Sequence, residues 1–429
     1  MPINATVIAA VVLLVLILMK VPVFAAILSG SVVYFIMTPD LPTQLISQRI
    51  TSGIESIPLL AVPFFVCAGV FMNKAGVTRR IMDFCSVVTG RMTGGLAQVN
   101  VLLSTLMGGL SGSSLADAAM EAKMLVPEMR RKGFSNEFSS VVTAVSAMIT
   151  PLIPPGINMI LYGSIANVSV GKLFVSGIGV GALLCIALMI LVSRISKKRG
   201  YLPMRTERLT AQEFWAATRP AIIPLCLPVI IIGGIRIGVF TPTEAGSVAV
   251  IYAMVLGFVY KEMNIQDVID GLKETLLTTA AIMLIVGTSS AFAWILTREQ
   301  IPQTLTQFML GLTSNKYVFL IIINLFLLVV GMFIEGSAAT IVLVPLLVPM
   351  ARAFGIDDIQ FAMMFIFNLS IGAITPPLGT LMFVTCGVTQ CKIKDFLKES
   401  IPFFVMLFIC LLLVTFIPIV TTGLVDLVY

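Results

Sequence analysis

Apolar stretches of bilayer-spanning length recur along almost the whole chain, and no other feature restricts its fold so tightly. A helix needs about 20 mostly apolar residues to cross the hydrocarbon core. Candidates lie at 3–19, 21–37, 57–72, 173–193, 220–240, 243–260, 276–296 and 401–420. Two more, 134–168 and 360–388, are overlong and interrupted by prolines. Charged residues make up only 11% of the chain, less than half the roughly 25% of a soluble domain. That excludes a soluble enzyme, a disordered scaffold and a nucleic-acid reader, and leaves an all-α polytopic membrane protein. Histidine is absent, which excludes histidine-based triads, histidine-ligated zinc or haem, and imidazole relays. The seven cysteines are odd in number, lie mostly in apolar runs and form no C-x-x-C, so they read as inert. No Lys or Arg precedes the apolar run at Ile3, which reads as a first span and not a cleaved signal.

Two stretches, 95–129 and 317–351, are apolar but interrupted at their middles by small residues: Gly108-Gly109-Leu110-Ser111-Gly112-Ser113-Ser114 and Glu335-Gly336-Ser337. Glycine and serine favour turns there, so each stretch reads as a hairpin that enters and leaves the membrane on one side. Charge fixes the sides. Segment 194–208 carries six Lys/Arg and one acid and is expected in the cytoplasm. Lys74, Arg79 and Arg80 precede the first hairpin and Arg130-Arg131-Lys132 follow it; the second lies between Thr297-Arg298-Glu299-Gln300 and Arg352…Asp357-Asp358, which show no basic excess. Ten spans, two re-entrant hairpins and two external (periplasmic) termini satisfy these constraints.

The chain also repeats itself. Pro127 and Pro349, Gly133 and Gly355, Pro154-Pro155 and Pro376-Pro377, and Lys172 and Lys394 are each 222 residues apart, while the hairpin tips match at 224. The first copy, 1–200, holds three spans, an amphipathic arm at 81–93, the hairpin, the broken span and a last span. A cytoplasmic linker, 201–219, leads to the second copy, 220–429, with its arm at 301–313. One copy ends in a basic run and the other in a tail without Lys or Arg, so equivalent elements point in opposite directions. Inverted repeats with discontinuous helices mark secondary transporters.

Four irregular points then fall at mid-membrane: the two tips, 150–156 (TPLIPPG) and 375–379 (TPPLG). Proline leaves carbonyls of the preceding turn free, and these with Ser or Thr hydroxyls form an all-oxygen environment for a hard cation. Helix N-termini at the same points offer N–H groups to an anion. Asp117 sits just past the first tip and Glu335 at the second, and an intramembrane acid is a functional-site candidate by default. Asn158, beside the first break, either binds substrate or satisfies freed backbone. Glu244 in Thr241–Gly246 and Arg298, both external in this topology, are candidate partner contacts, with helix capping the alternative for Glu244. No nucleotide-binding G-x-x-x-x-G-K-[ST] occurs, which argues against ATP as direct energy source.

The Ser111–Ser114 tip, Val126-Pro127, Pro154-Pro155-Gly156, Thr241–Gly246 and Thr375-Pro376-Pro377 occur in an order that resembles the large membrane subunit, DctM type, of tripartite ATP-independent periplasmic transporters, across essentially the whole chain. Within that family it is most similar to sialic acid-transporting members. The resemblance implies an elevator-type, sodium-coupled symporter in the bacterial inner membrane that takes up an organic acid. It needs no cofactor beyond sodium as coupling ion, and works with a periplasmic binding protein and a small membrane subunit, here a separate chain. It implies substrate contacts at Ser113, Asp117, Asn158, Glu335 and Ser337, and sodium contacts at Ser111, Gly112, Gly156, Gly336, Thr375, Pro376 and Gly379. The alternatives are a stand-alone symporter or antiporter without a binding protein, a membrane enzyme, or a passive channel subunit.

Overall fold

A computed structural model describes residues 5–19, 21–207 and 210–429; positions 3–4 of the first expected span and 208–209 of the expected linker lie outside the described residues. Every regular element among the described residues is helical. Eight helices are long and apolar enough to cross a membrane, and shorter apolar helices, including Val23–Met37 and Gly95–Ser111, accompany them.

The hairpins and breaks dominate the interior. Gly95–Ser111 and Ser114–Arg131 form the first hairpin, Lys316–Gly331 and Gly336–Ala353 the second. The first broken span is Asn136–Ala147, a short 3-10 turn at Thr150–Leu152, and Ile157–Ala166; the second is Asp358–Gly372 and Thr380–Thr389. Helix starts Ser114 and Gly336, and Asn136 and Asp358, are both 222 residues apart. The tips therefore align at 222 and not at 224: Ser113 corresponds to Glu335, and both are N-caps. The two-residue slip came from matching Gly112 with Gly336. Gly112 turns the first tip at φ 65°, whereas Gly336 is already helical.

Packing follows the same duplication. Ser114–Arg131 lies on Thr380–Thr389, and Gly336–Ala353 lies on Ile157–Ala166, the same pairing with the copies exchanged. Close approaches rest on missing side chains, as in membrane helix packing generally. A Cβ on Gly108 would sit 2.9 Å from Thr150 Cα, and one on Gly372 would sit 2.4 Å from the Gly331 carbonyl carbon. Irregular backbone is tolerated at membrane depth only inside protein. Accordingly 89% of the apolar window of Asn136–Ala166 is buried, against 22% for Ala211–Ile237.

Several boundaries differ from expectation. The linker ends early, because Thr210 and Glu213 form a capping box that starts a helix at Ala211. The span expected at 276–296 is the end of a 34-residue helix, Ile265–Arg298, started by a second capping box at Asn264 and Asp267. Gln44–Ile54 is an amphipathic helix that hydropathy does not reveal; it packs on Ile265–Arg298, where Gly53 and Gly287 allow close contact with Ser290 and Ile50. The arms are Val77–Thr89 and Ile301–Leu312. The tail beyond Pro418 is a helix, Ile419–Val428, held where Ser176 Oγ donates to Thr421 O at 2.6 Å.

Candidate functional site

Three helix N-termini meet in one place. Ser114–Arg131 begins at the first tip, where Ser113 Oγ accepts from Ala116 N at 3.4 Å. Gly336–Ala353 begins at the second tip, where the Glu335 carboxylate accepts from Ser337 N at 2.9 Å and Ala338 N at 3.2 Å. Ile157–Ala166 begins at the first break, which places Asn158 in its first turn. The Ser337 hydroxyl lies 2.9 Å from Asn158 Oδ1 and 3.1 Å from Glu335 Oε1, joining the tip of one copy to the break of the other.

These residues line a cavity of about 480 Å³. Of the residues marked from the sequence, it brings together Ser111, Gly112, Ser113, Asn158, Glu335 and Ser337. Its far wall is the long helix Ile265–Arg298, which contributes Glu274, Thr278 and Ile285, with Asn73 from the neighbouring helix. A smaller void of about 30 Å³ behind the tips touches Asn158, Glu335, Gly336 and Thr380. No Lys or Arg lines either void among the described residues.

The other marked residues fall elsewhere. Asp117 is fully buried behind the first tip and does not line the cavity; Ser111 Oγ donates to it at 2.6 Å and Thr150 Oγ1 at 2.8 Å. It sits one turn into its helix, on the face away from the opening, so it braces the tip from behind. Gly156 is the N-cap of the helix at the first break, where a Cβ would come 2.4 Å from the Pro151 carbonyl oxygen. Thr375 Oγ1 bonds back to Ile371 O at 2.8 Å, and Gly379 N bonds to Thr375 O at 3.1 Å, so that turn satisfies itself. Thr375, Pro376 and Gly379 line neither void. Glu244 is exposed and closes a capping box, accepting from Thr241 N at 2.7 Å and Thr241 Oγ1 at 2.8 Å. Arg298 lies 5.8 Å from the Trp294 ring centroid.

Two acids were not picked out by the sequence pattern. Glu121, one turn beyond Asp117, is also fully buried and accepts from Ser104 Oγ at 2.5 Å. The Asp117–Glu121 spacing of four on an apolar hairpin arm was the available signal. Glu274 resembles an ordinary charged flank of a span, and only the fold turns it toward the tips.

Helices spanning a membrane, broken helices in the interior and hairpin tips around a polar cavity define a polytopic membrane transporter. The chain belongs to the family described as tripartite ATP-independent periplasmic transporter, DctM component, whose sequence model matches residues 10–420. It is 42% identical over 398 residues to the sialic acid TRAP transporter large permease protein SiaM of Vibrio cholerae, covering 92% of this chain and 93% of that one. It is 38% identical to the 2,3-diketo-L-gulonate TRAP transporter large permease protein YiaN of Escherichia coli, over 87% of this chain and 88% of that one. Among solved structures, the fold is similar to that of the YdaH transporter of Alcanivorax borkumensis, with a TM-score of 0.54 at 14% identity over 86% of each chain.

Proposed function

We propose that this chain is the membrane permease of a tripartite carrier that takes up an organic acid, sialic acid foremost, together with sodium. It would sit in the bacterial inner membrane as a multi-pass protein of two oppositely oriented halves, 1–200 and 220–429, with both termini outside. A small membrane subunit and a periplasmic binding protein would complete it. The observation that carries the reading is the charge of the cavity. Glu335 and Glu274 line it, no basic side chain does among the described residues, and yet the solutes named for the relatives are acids. An organic anion is stabilised there only by helix N-termini and by cations that enter with it. Hydroxyls at Ser111, Ser113 and Ser337 and the Glu335 carboxylate are hard oxygen donors suited to sodium.

In this reading the tips and the two broken spans move together as one transport unit against the long helix and its neighbours, an elevator. The test is uptake of labelled sialic acid into proteoliposomes holding the permease and its small subunit, with and without an inward sodium gradient and the binding protein. Uptake that needs both supports the tripartite symporter. Sodium-driven uptake without the binding protein identifies a stand-alone symporter. No uptake by folded complex under any condition removes sialic acid as substrate.

A further inference from the structure

The helix Ile265–Arg298 carries a second polar station on the face that meets the site. Its residues Glu274, Thr278, Ile282 and Ile285 line the tip cavity. Continuing at the same helical spacing, Val286, Ser289, Ser290 and Ala293 line a separate cavity of about 290 Å³. The opposing helix Gly336–Ala353 repeats the pattern: Ser337 faces the first cavity, Pro345 the second, and Ile341 lines both. The two cavities are thus stacked along one seam and divided where Ile341 meets the level of Ile285 and Val286.

The length of the seam is informative. From Glu274 to Ala293 the helix rises about 28 Å, close to the roughly 30 Å of a hydrocarbon core. One cavity therefore lies toward each membrane face. The second is polar for its depth. Ser56 Oγ and Ser164 Oγ line it, hydrogen-bonded to each other at 3.4 Å, and Ser289 Oγ is buried with no hydrogen-bond partner. Serine hydroxyls without charge suit a hydroxylated or carboxylated solute in passage, since they offer hydrogen bonds but no strong hold on an anion.

Building on the transport reading above, we propose that this serine-lined cavity is the vestibule through which the solute reaches the hairpin site from the opposite membrane face. Ser56, Ser164, Ser289 and Ser290 line it, and Ile341 against Ile285–Val286 is the barrier between the two sides.

Thiol labelling tests this without any solute, so the result stands apart from the substrate assignment. In a Cys226→Ser background, which removes the one exposed cysteine among the described residues, Thr278→Cys and Ser290→Cys are introduced singly into the complete complex. A membrane-impermeant maleimide is applied to right-side-out and to inside-out vesicles. Each site is expected to react at least tenfold faster from one face, and the two faces to be opposite. Labelling of both from the same face, or of Ser290→Cys from neither, overturns the proposal. Adding Ile285→Ala and Ile341→Ala should open Thr278→Cys to both faces; unchanged sidedness would mean that these residues are not the barrier.

Discussion

Glu335 does two things at one position: it caps a helix inside the membrane region and places a carboxylate on the cavity. Gln keeps an oxygen for Ser337 N and Ala338 N but removes the charge. Glu335→Gln is therefore expected to fold normally and to need about tenfold more sodium for half-maximal uptake, equivalent to about 1.4 kcal/mol. A sodium titration of uptake checks this, and an unchanged titration would take Glu335 out of ion coupling. The buried pair behind the tip calls for a different experiment. Neither Asp117 nor Glu121 is in an ion pair among the described residues, and one oxygen of each lacks a partner. Ser104 supplies the hydrogen bond of Glu121, so Ser104→Ala should lower stability by roughly 1–3 kcal/mol, the usual cost of leaving a buried polar group unsatisfied. Adding Glu121→Leu should restore most of that loss, since no polar group then remains to be satisfied. Thermal unfolding of the two variants in detergent decides it; equal loss in both would show that Ser104 matters through packing alone.

The two tips are built differently, and this is visible at the scale of elements. The first turns on Gly112 at φ 65°, where a Cβ would also come 3.3 Å from the Pro155 carbonyl oxygen. Gly133 has φ 87° with nothing within 4 Å of a Cβ. Both Ala substitutions carry the left-handed cost of about 1–2 kcal/mol, but only Gly112→Ala pushes the tip off the first break. Gly112→Ala should abolish most uptake while Gly133→Ala retains it at similar expression; equal activity would sever the tip from function. The tips, breaks and repeat were legible in the sequence because Gly, Ser and Pro act locally on the backbone. The helix starts at Ala211 and Ile265 were also written locally, in capping boxes, but hydropathy hides them because they lie outside the apolar run. Hydropathy misses Gln44–Ile54, although its amphipathic pattern is of the kind that marks the two arms. What sequence pattern does not carry is which face a residue turns to: Asp117 behind the tip, Glu274 across from it, and the Thr375 turn closed on itself follow from packing between distant segments.

At the scale of the whole molecule, charge movement is the quantity to measure. The chain forms a cavity with two carboxylates and no basic side chain among the described residues. In the proposed reading a solute anion crosses together with cations, and their number decides what the membrane potential does. One sodium ion with a monoanion moves no net charge. Two move one positive charge inward, which at 100 mV, inside negative, gains about 2.3 kcal/mol, or roughly 50-fold in the accumulation ratio. The hydroxyl-lined first tip and the Glu335-bearing second tip differ, one from each copy of the repeat, and on the proposed reading each would hold one cation. Proteoliposomes with a fixed sodium gradient and an imposed potassium diffusion potential should therefore accumulate solute more strongly as the interior becomes more negative. A flat response would mean one cation per anion, and it would make the two tips one ion site between them instead of two.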